Sequence, residues 1–337
     1  MKRLAFLMHK GFEGRFRVKE FIPYFEENGV EVSLVRVPGS LIKRLSAFRR
    51  LRDFDVVIIQ RKLLTALDLF FVRRYARRTV FDFDDAIMYR SSRHKSQRSR
   101  GRMRKFRNMM KSVDAVFAGN SYLAGLAERF TPPDRIHIFP TVVDLDEYGV
   151  KEYKVRGGKG KKGDGFIVGW IGTSTNLHYL KAIGPALEEF AKKHKGVRLK
   201  IVCDSFLDLN GVEVIKKEWR PEDVEADLKS FDVGIMPLTD DIWAKGKCGF
   251  KVVQYLATGV PAVAAPVGIN SDLVVDGDTG FKAENHDEWV RGLSKLYEER
   301  GLIEKMGLSG RRLVEKEFSL QAVAPRYLDV LRKLAEE

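Results

Sequence analysis

The stretch KGKCGFKVVQYLATGVPAVAAPVG, residues 245–268, decides the fold, because it predicts a loop, a helix, a turn and a strand in succession. Val252 and Leu256 stand at helical spacing after Gly249, so a helix is expected to begin near that glycine. Free amides at a helix start favour a bound anion by about 0.3–2 kcal/mol. A charge-assisted hydrogen bond from Lys247 to a phosphate would add about 1.5–3 kcal/mol. The stretch therefore predicts a phosphate site, or alternatively an ordinary αβ unit with a solvated lysine.

The rest of the chain alternates short apolar runs with amphipathic stretches, which is typical of parallel sheets with crossover helices. The predicted strands include Leu4–Met8, Val30–Val37, Val56–Ile59, Val80–Phe83 and Ile167–Ile171. A length of 337 residues with 44% hydrophobic residues suits two domains. We expect an N-terminal domain at 1–148, a Gly- and Lys-rich linker at 149–165, a second domain at 166–320, and a final helix at 321–337 that crosses back to the first domain.

Charge is divided unevenly along the chain. The first 150 residues hold 30 Lys and Arg against 17 Asp and Glu, whereas the remainder holds 30 against 29. Such a field draws the first half toward anionic surfaces. The two cysteines, Cys203 and Cys248, lack metal or disulfide spacing, which favours a reducing cytoplasm. No apolar run approaches the ~18 residues of a spanning helix, and Lys10 interrupts the first run, which we therefore interpret as a strand rather than a signal peptide.

Several segments, in their order along the chain, resemble one known family. Residues 245–268 resemble the donor-site signature of the retaining group 1 (family 4) glycosyltransferases, in the subtype written roughly GKxxxKxxQYxAxGxPVVAxPVG. The other matching segments are RFRVKEFIPYFEENGVEV, DVVIIQRKL, VFDFDDA, AVFAGNSYLA, IFPTVVD and VGWIGTSTNLHYL. The resemblance implies an α/β fold of the GT-B type, with two Rossmann-like domains whose parallel sheets face a central cleft. It also implies a nucleotide-sugar donor, such as a UDP- or GDP-sugar, on the second domain and an acceptor on the first.

The resemblance assigns the donor site residue by residue. The expected donor-binding residues are Gly172, Thr173, Ser174, Trp219 beside the base, Lys247, Gly249, Phe250, Lys251 and Gln254 beside the ribose. Two features depart from the family. Thr175, Asn176 and His178 stand where many relatives carry an Arg and a Lys. Gly246 and Gln254 stand where the wider family has two glutamates.

The acceptor side is expected at the carboxyl ends of the strands of the first domain, where open αβ sheets bind ligands. The predicted acceptor-binding residues are Gly11, Arg15, Gln60, Arg61 and Asn120. The predicted catalytic residues are Asp84, Asp85, Lys247 and His9.

Alternation in the acidic run VFDFDDA places Asp82 and Asp84 on one face of a strand. A purely structural carboxylate cluster is one interpretation of the run, and three functional ones compete with it. By the family resemblance, Asp84 and Asp85 hold or deprotonate an acceptor hydroxyl. Alternatively, the carboxylates bind a divalent metal through oxygen ligands. The run also resembles the start of Asp-x-Asp phosphatases, with Asp82 as nucleophile, although Ala86 replaces the expected threonine.

Two basic segments are each open to two interpretations. Ser40–Phe54 is either an interfacial helix on an anionic bilayer or a surface helix packed on the sheet. Tyr89–Val113 has ten Lys or Arg residues and no acidic one, which suits a loop and helix that recruit a phosphate-bearing acceptor or lipid headgroup, or simple solvent exposure. Its few aromatic residues argue against a nucleic-acid partner.

The sequence therefore predicts a metal-independent retaining glycosyltransferase of cell-envelope glycan synthesis that needs no cofactor and binds no metal. The expected partners are a nucleotide-sugar and a glycan or lipid-linked acceptor. The expected location is the cytoplasm, with peripheral contact to the inner face of an anionic membrane through the first domain. A GT-B-fold sugar-nucleotide epimerase, an Mg-dependent phosphatase and a non-catalytic glycan or nucleic-acid binder are the alternatives.

Overall fold

The computed structural model describes residues 1–9, 14–153 and 165–337, with the side chain of His9 left out. They form two compact units. The first comprises Met1–Val142, Asp241–Cys248 and Leu320–Glu337, and the second comprises Val143–Asp240 and Gly249–Ser319. Asp241–Cys248 thus belongs to the first unit, although it lies within the range 166–320 that was assigned to the second domain. Most of the predicted linker, residues 154–164, falls outside the described residues.

Each unit is built on a six-stranded parallel sheet. The first sheet has the order β2-β1-β3-β4-β5-β6, and its strands are β1 (Arg3–His9), β2 (Glu31–Val37), β3 (Val56–Gln60), β4 (Arg78–Phe83), β5 (Ala115–Ala118) and β6 (Ile136–Ile138). The second has the order β12-β11-β10-β7-β8-β9, and its strands are β7 (Phe166–Ile171), β8 (Val197–Cys203), β9 (Glu213–Glu218), β10 (Val233–Met236), β11 (Ala262–Ala264) and β12 (Gly280–Lys282). The prediction of two parallel Rossmann-like sheets is confirmed.

Helices connect the strands. They are α1 (Ile22–Glu27), α2 (Leu41–Arg49), α3 (Ala66–Tyr75), α4 (Arg100–Ser112), α5 (Ser121–Glu128), α6 (Leu177–Ala182), α7 (Gly184–Lys193), α8 (Val224–Lys229), α9 (Phe250–Ala257), α10 (Asn270–Leu273), α11 (His286–Glu298), α12 (Gly301–Glu317) and α13 (Leu320–Glu336). Single 3-10 turns lie at Arg15–Arg17, Lys19–Phe21, Arg50–Asp53, Pro133–Arg135, Ser174–Asn176, Pro221–Asp223 and Ala244–Gly246. None of the helices in the described part of the chain is long and apolar enough to cross a bilayer.

Both faces of the first sheet are buried. Because side chains alternate along a strand, Val57 and Ile59 pack into a core covered by α2 to α5, whereas Val56 and Ile58 pack into a core covered by α1 and α13. This two-sided burial explains why the strands are continuous apolar runs.

The structure differs from the sequence prediction at two elements of secondary structure. The sequence from Val18 to Gly29, which ends in a glycine, predicts one helix up to Asn28, but α1 is shorter, because two 3-10 turns precede it and Pro23 stands in its first turn. Strand β9 was not predicted. It lies at the edge of the second sheet and carries four charged residues, so its sequence lacks the apolar run of a buried strand.

The strand orders locate the place in each unit where a ligand is expected. In the first sheet, β2 lies on one side of β1 and β3 on the other, and in the second sheet, β8 and β10 flank β7 in the same way. Open αβ sheets bind ligands outside the carboxyl ends of the strands at such a switch point. His9 ends β1, Gln60 ends β3, and Gly172 follows β7, so these predicted site residues lie at the two switch points.

Candidate functional site

In the first unit, the end of β4 places three carboxylates beside two arginines. Arg61 lies 3.5 Å from Asp84 through Nε and contacts Asp85 through Nη2. The backbone of Arg61 has a φ of 51°, and it alone among the described non-glycine residues has a positive φ. A left-handed conformation at a non-glycine residue costs about 1–3 kcal/mol and persists where the surroundings impose it, often at functional sites. The predicted acceptor residue Arg61 and the predicted catalytic residues Asp84 and Asp85 therefore form one cluster.

The acidity of Asp85 is shifted by this environment. Burial raises the pKa of Asp85, Arg61 opposes that shift, the Asp84 carboxylate adds to it, and Lys247 opposes it more weakly. A carboxyl with a raised pKa takes up a proton more readily near neutral pH than a solvated one. The arrangement suits a group that exchanges a proton with a hydroxyl.

A buried ion pair lies next to this cluster and was not predicted. Nε of Arg17 donates to Asp82 at 3.1 Å, Nη2 also contacts that carboxylate, and Nη1 donates to the carbonyl oxygen of Phe139 at 2.8 Å. Arg17 is 4% exposed and Asp82 is fully buried. Burial raises the pKa of Asp82 and Arg17 opposes the shift. Nothing in the local sequence marks Arg17, because its partner is 65 residues away. The phosphatase interpretation fails here, since a carboxylate buried against Arg17 cannot attack a substrate.

Gln60 lies on the strand beside this pair and is 1% exposed. Its amide nitrogen and oxygen are both buried, and neither has a hydrogen-bond partner among the described residues. An unsatisfied buried polar group costs about 1–3 kcal/mol. The amide of Gln60 therefore has one donor group and one acceptor atom available for a ligand at the end of β3.

Asp241–Cys248 packs on the ends of β4 and β5. Nδ2 of Asn120 donates to the carbonyl oxygen of Lys247 at 3.0 Å, and the Cys248 thiol donates to the carbonyl oxygen of Asp84 at 3.1 Å. The hydroxyl of Tyr122 donates to the carbonyl oxygen of Ile242 at 3.3 Å. The structure thus places Lys247 in the same unit as the Asp84–Asp85 cluster.

Other predicted residues of the first unit have definite partners or no described side chain. Arg15 pairs with Glu20 at 3.1 Å. Serine is also a good cap and would make Ser121 the expected one from the sequence, but Asn120 caps α5, because its oxygen accepts from the amide of Leu123 at 2.9 Å. The side chain of His9 and all of Gly11 lie outside the described residues.

In the second unit, the predicted phosphate-binding residues lie at the carboxyl end of β7 and at the start of α9. Gly249, with a φ of 61°, precedes α9, and no side chain caps that helix start. The ammonium of Lys251 lies 5.6 Å from the ring of Trp170. A Cβ on Gly172 would lie 2.9 Å from Cε of Lys251 and 2.5 Å from the Trp170 ring, so only glycine fits there. Phe250 opens α9 and packs against the core.

Side chains of the protein already bond part of the loop after β7. The amide and the hydroxyl of Ser174 each donate to the carboxylate of Asp204 at 2.7 Å. These hydrogen bonds lower the pKa of Asp204 to about 2. The Thr173 and Thr175 hydroxyls share a hydrogen bond of 2.8 Å. No role was predicted for Asp204. Because β7 and β8 are neighbouring parallel strands, their carboxyl ends lie side by side, and this could have indicated that Asp204 contacts the loop after β7.

Trp219 and Gln254 lie in contrasting environments. Trp219 follows β9, its amide donates to the carbonyl oxygen of Cys203 at 3.3 Å, and its side chain is 42% exposed. An indole in that state presents a face on which a base can stack. Gln254 is buried, and its amide nitrogen donates to the hydroxyl of Tyr148 at 2.9 Å.

No group of three or more His, Cys, Asp or Glu residues in the described ranges is arranged to hold a metal ion. The carboxylates of Asp84 and Asp85 already face Arg61, which supplies the positive charge that a metal would otherwise bring.

Part of the second unit matches a known family model. Residues 165–299 match the model of the family described as Glycosyl transferases group 1. Trehalose synthase from Pyrococcus horikoshii is 30% identical over 86 residues, which make up 26% of this chain and 21% of that protein. The chain thus matches about a fifth of the length of this curated relative.

Solved structures resemble the whole chain. Sucrose-phosphate synthase from Thermosynechococcus elongatus has a TM-score of 0.72 at 12% identity, and the match covers 99% of each chain. Anabaena HepE, solved in complex with UDP and glucose, has a TM-score of 0.73 at 14% identity, and the match covers 99% of this chain and 100% of that one. These likenesses show the GT-B fold.

The buried pair yields a stability prediction. Arg17→Met leaves Asp82 buried without its partner, so we expect the free energy of unfolding to fall by about 3–5 kcal/mol at pH 7 in urea titrations. Without Arg17, burial raises the pKa of Asp82 further above its wild-type value of about 6, so the loss relative to wild type grows as the pH rises above about 6. We expect a smaller loss at pH 5 than at pH 7.

The double variant Arg17→Met/Asp82→Asn is the control, because it leaves no buried charge. It should recover a large part of the loss and show little difference between the two pH values. An equal loss for the single variant at pH 5 and pH 7 would contradict the account of this pair.

Proposed function

We propose, from a chain that has the GT-B fold and carries a group 1 glycosyltransferase domain at residues 165–299, that this protein is a hexosyltransferase. It moves a sugar from a nucleotide-sugar to an acceptor hydroxyl, with retention of configuration. The observation that carries the proposal is the uncapped start of α9 beside Lys251 in the second unit, where the family model matches.

At the donor end, the reaction needs stabilisation of the departing diphosphate. The amides at the start of α9 and the ammonium of Lys251 supply fixed positive charge where negative charge develops, which lowers the barrier. Lys247 precedes Gly249 by two residues and adds a second ammonium. The exposed face of Trp219 stacks on the base. Gln254, which the family resemblance assigned to the ribose, is buried against Tyr148 and is left out of the proposed donor contacts. HepE has been solved in complex with UDP-glucose, and a UDP-sugar is accordingly the donor to test first.

At the acceptor end, we assign the hydroxyl to the cluster at the ends of β3 and β4. Gln60 has both amide atoms available, and Arg61 holds the Asp84 and Asp85 carboxylates. Asp85 takes the proton of the attacking hydroxyl, because its raised pKa brings it closer to neutral pH. His9 ends the neighbouring strand and completes the predicted set.

We propose that the transfer needs no metal. In the second unit, Lys251 and the α9 amides provide the charge that a divalent ion supplies to the diphosphate in other enzymes. The Asp84 and Asp85 carboxylates are occupied by Arg61 and are poor candidates for binding a metal.

We propose that the acceptor is lipid-linked. The first unit then docks on the anionic inner face of the cytoplasmic membrane. The four most exposed large apolar side chains of the described residues are Ile42, Phe70, Leu67 and Leu41, all on α2 and α3. Arg44 on α2 pairs with Asp68 on α3 at 2.8 Å, so the two helices are neighbours, and we call their four exposed apolar side chains the α2–α3 surface.

Positive charge surrounds the α2–α3 surface. The pKa of Lys62 is lowered by burial and then by the nearby cations Arg44 and Lys105, the latter on α4. The exposed residues Lys43, Arg49, Arg73, Arg74, Arg102 and Arg104 lie on α2, α3 and α4. Each basic residue near an anionic bilayer contributes about 1 kcal/mol, and apolar side chains insert between the headgroups.

The donor assignment predicts the effect of Lys247→Ala. We first select the donor by thermal shift against UDP-, GDP- and ADP-sugars, and then measure release of the nucleoside diphosphate. The loss of a charge-assisted hydrogen bond should lower turnover by roughly 10- to 150-fold, while the free energy of unfolding changes little. Lys245→Ala, two residues away on the same segment, should keep turnover within about twofold of wild type. Undiminished turnover in Lys247→Ala would refute the assignment.

Metal independence predicts that chelation has no effect. Turnover in 5 mM EDTA (roughly the excess that strips Mg²⁺ and Mn²⁺ sites) should equal that in buffer with added Mg²⁺. A loss of activity in EDTA that Mg²⁺ or Mn²⁺ restores would overturn this part of the proposal.

Membrane docking predicts the behaviour of Ile42→Ser/Phe70→Ser. Cosedimentation with vesicles of phosphatidylglycerol and phosphatidylcholine should weaken about tenfold or more, because two inserted apolar side chains are lost. Val275→Ser, an exposed apolar residue of the second unit, should bind like wild type. Wild-type binding that is equally strong on pure phosphatidylcholine, or equal binding by both variants, would count against the α2–α3 surface.

A further inference from the structure

Asn120 has both ends of its side chain engaged by backbone atoms. Its oxygen accepts from the amide of Leu123 at 2.9 Å and so caps α5, while its nitrogen donates to the carbonyl oxygen of Lys247 at 3.0 Å. Asn120 is 2% exposed, so both hydrogen bonds are shielded from water. A carboxamide engaged in this way has little capacity left for binding an acceptor, which is the role predicted for Asn120 from the sequence.

The segment that Asn120 holds is packed closely on the first unit. A Cβ on Gly246 would lie 2.6 Å from Cβ of Ala86 and 2.7 Å from its amide nitrogen, so the segment touches the residue that follows Asp85. On the other side of Lys247, the Cys248 thiol donates to the carbonyl oxygen of Asp84. The backbone of Lys247 is therefore fixed at three successive points, and Asn120 contacts the middle one.

The side chain of Lys247 extends from this fixed backbone toward Trp243 and Asp85. Its Nζ lies 6.0 Å from the ring of Trp243, and its positive charge opposes the raised pKa of Asp85. A lysine side chain has four rotatable bonds, so the position of its ammonium depends on how firmly its backbone is held. Small misplacements of a charged group in an active site cost large factors in rate.

We propose that Asn120 is a positioning residue for Lys247. By anchoring the Lys247 carbonyl to the helix start of α5, it sets where the Lys247 ammonium lies relative to the Asp84–Asp85 cluster of the same unit. The inference rests on the proposed function, since it concerns how one residue of that site is held.

Asn120→Ser tests the proposal, because serine caps a helix as well as asparagine does and its side chain is too short to reach the Lys247 carbonyl. With the nucleotide-sugar that wild type turns over best among UDP-glucose, UDP-N-acetylglucosamine, GDP-mannose and ADP-glucose, we expect kcat to fall about 3- to 10-fold. Ser121→Ala, an exposed neighbour on α5, is the matched control and should retain kcat.

The deciding measurement is the double variant Asn120→Ser/Lys247→Ala. If Asn120 acts through Lys247, the serine substitution should change kcat less than twofold (roughly the limit expected for additive sites) once the ammonium is gone. A merely structural role would lower kcat by the same factor in both backgrounds, and that result would overturn the inference. Absence of any nucleotide-sugar turnover by wild type would instead refute the proposed function. Turnover impaired by Lys247→Ala and unaffected by Asn120→Ser would refute the positioning role alone.

Discussion

The parallel pairing of the strands is the constraint on which both candidate sites depend. Parallel strands need crossovers, so every strand of a sheet ends at the same edge, and the polar residues that follow them collect there. In the first unit this brings together Arg61, Asp84, Asp85 and Asn120 from the ends of β3, β4 and β5. In the second it brings Ser174 to Asp204 across the ends of β7 and β8.

Charge compensation then decides which side chains can act. Asp82 is paired with Arg17 inside the protein, where burial raises its pKa and the arginine offsets the cost of the charge. Asp84 and Asp85 share Arg61 and remain partly exposed. The three neighbouring carboxylates thus separate into one that stabilises the fold and two that face a substrate in the proposed reaction.

The fold was predictable because buried parallel strands leave an unmistakable apolar pattern, as in Val56–Ile59, and because α9 shows helical spacing after Gly249. The edge strand β9 escaped prediction because its charged residues follow no buried pattern. Contacts between residues that are distant in the sequence could not be predicted either. Arg17 meets Asp82 across 65 positions, and Asn120 meets the Lys247 carbonyl across 127. Spacing alone shows neither contact. The sequence predicted that Asn120 binds the acceptor, whereas the structure shows its side chain bonded to the backbone of Leu123 and Lys247.

The last helix, α13, packs Tyr327, Leu328 and Leu331 into the core on one face of the first sheet. In a chain that emerges from the ribosome in order, the opening 142 residues must therefore wait for the final 18 before that core closes. The second unit, whose residues all precede α13, is free to complete its own core earlier. Synthesis order and assembly order are thus reversed between the two units, and a nascent chain exposes the unfinished apolar face of its first unit until α13 has been made.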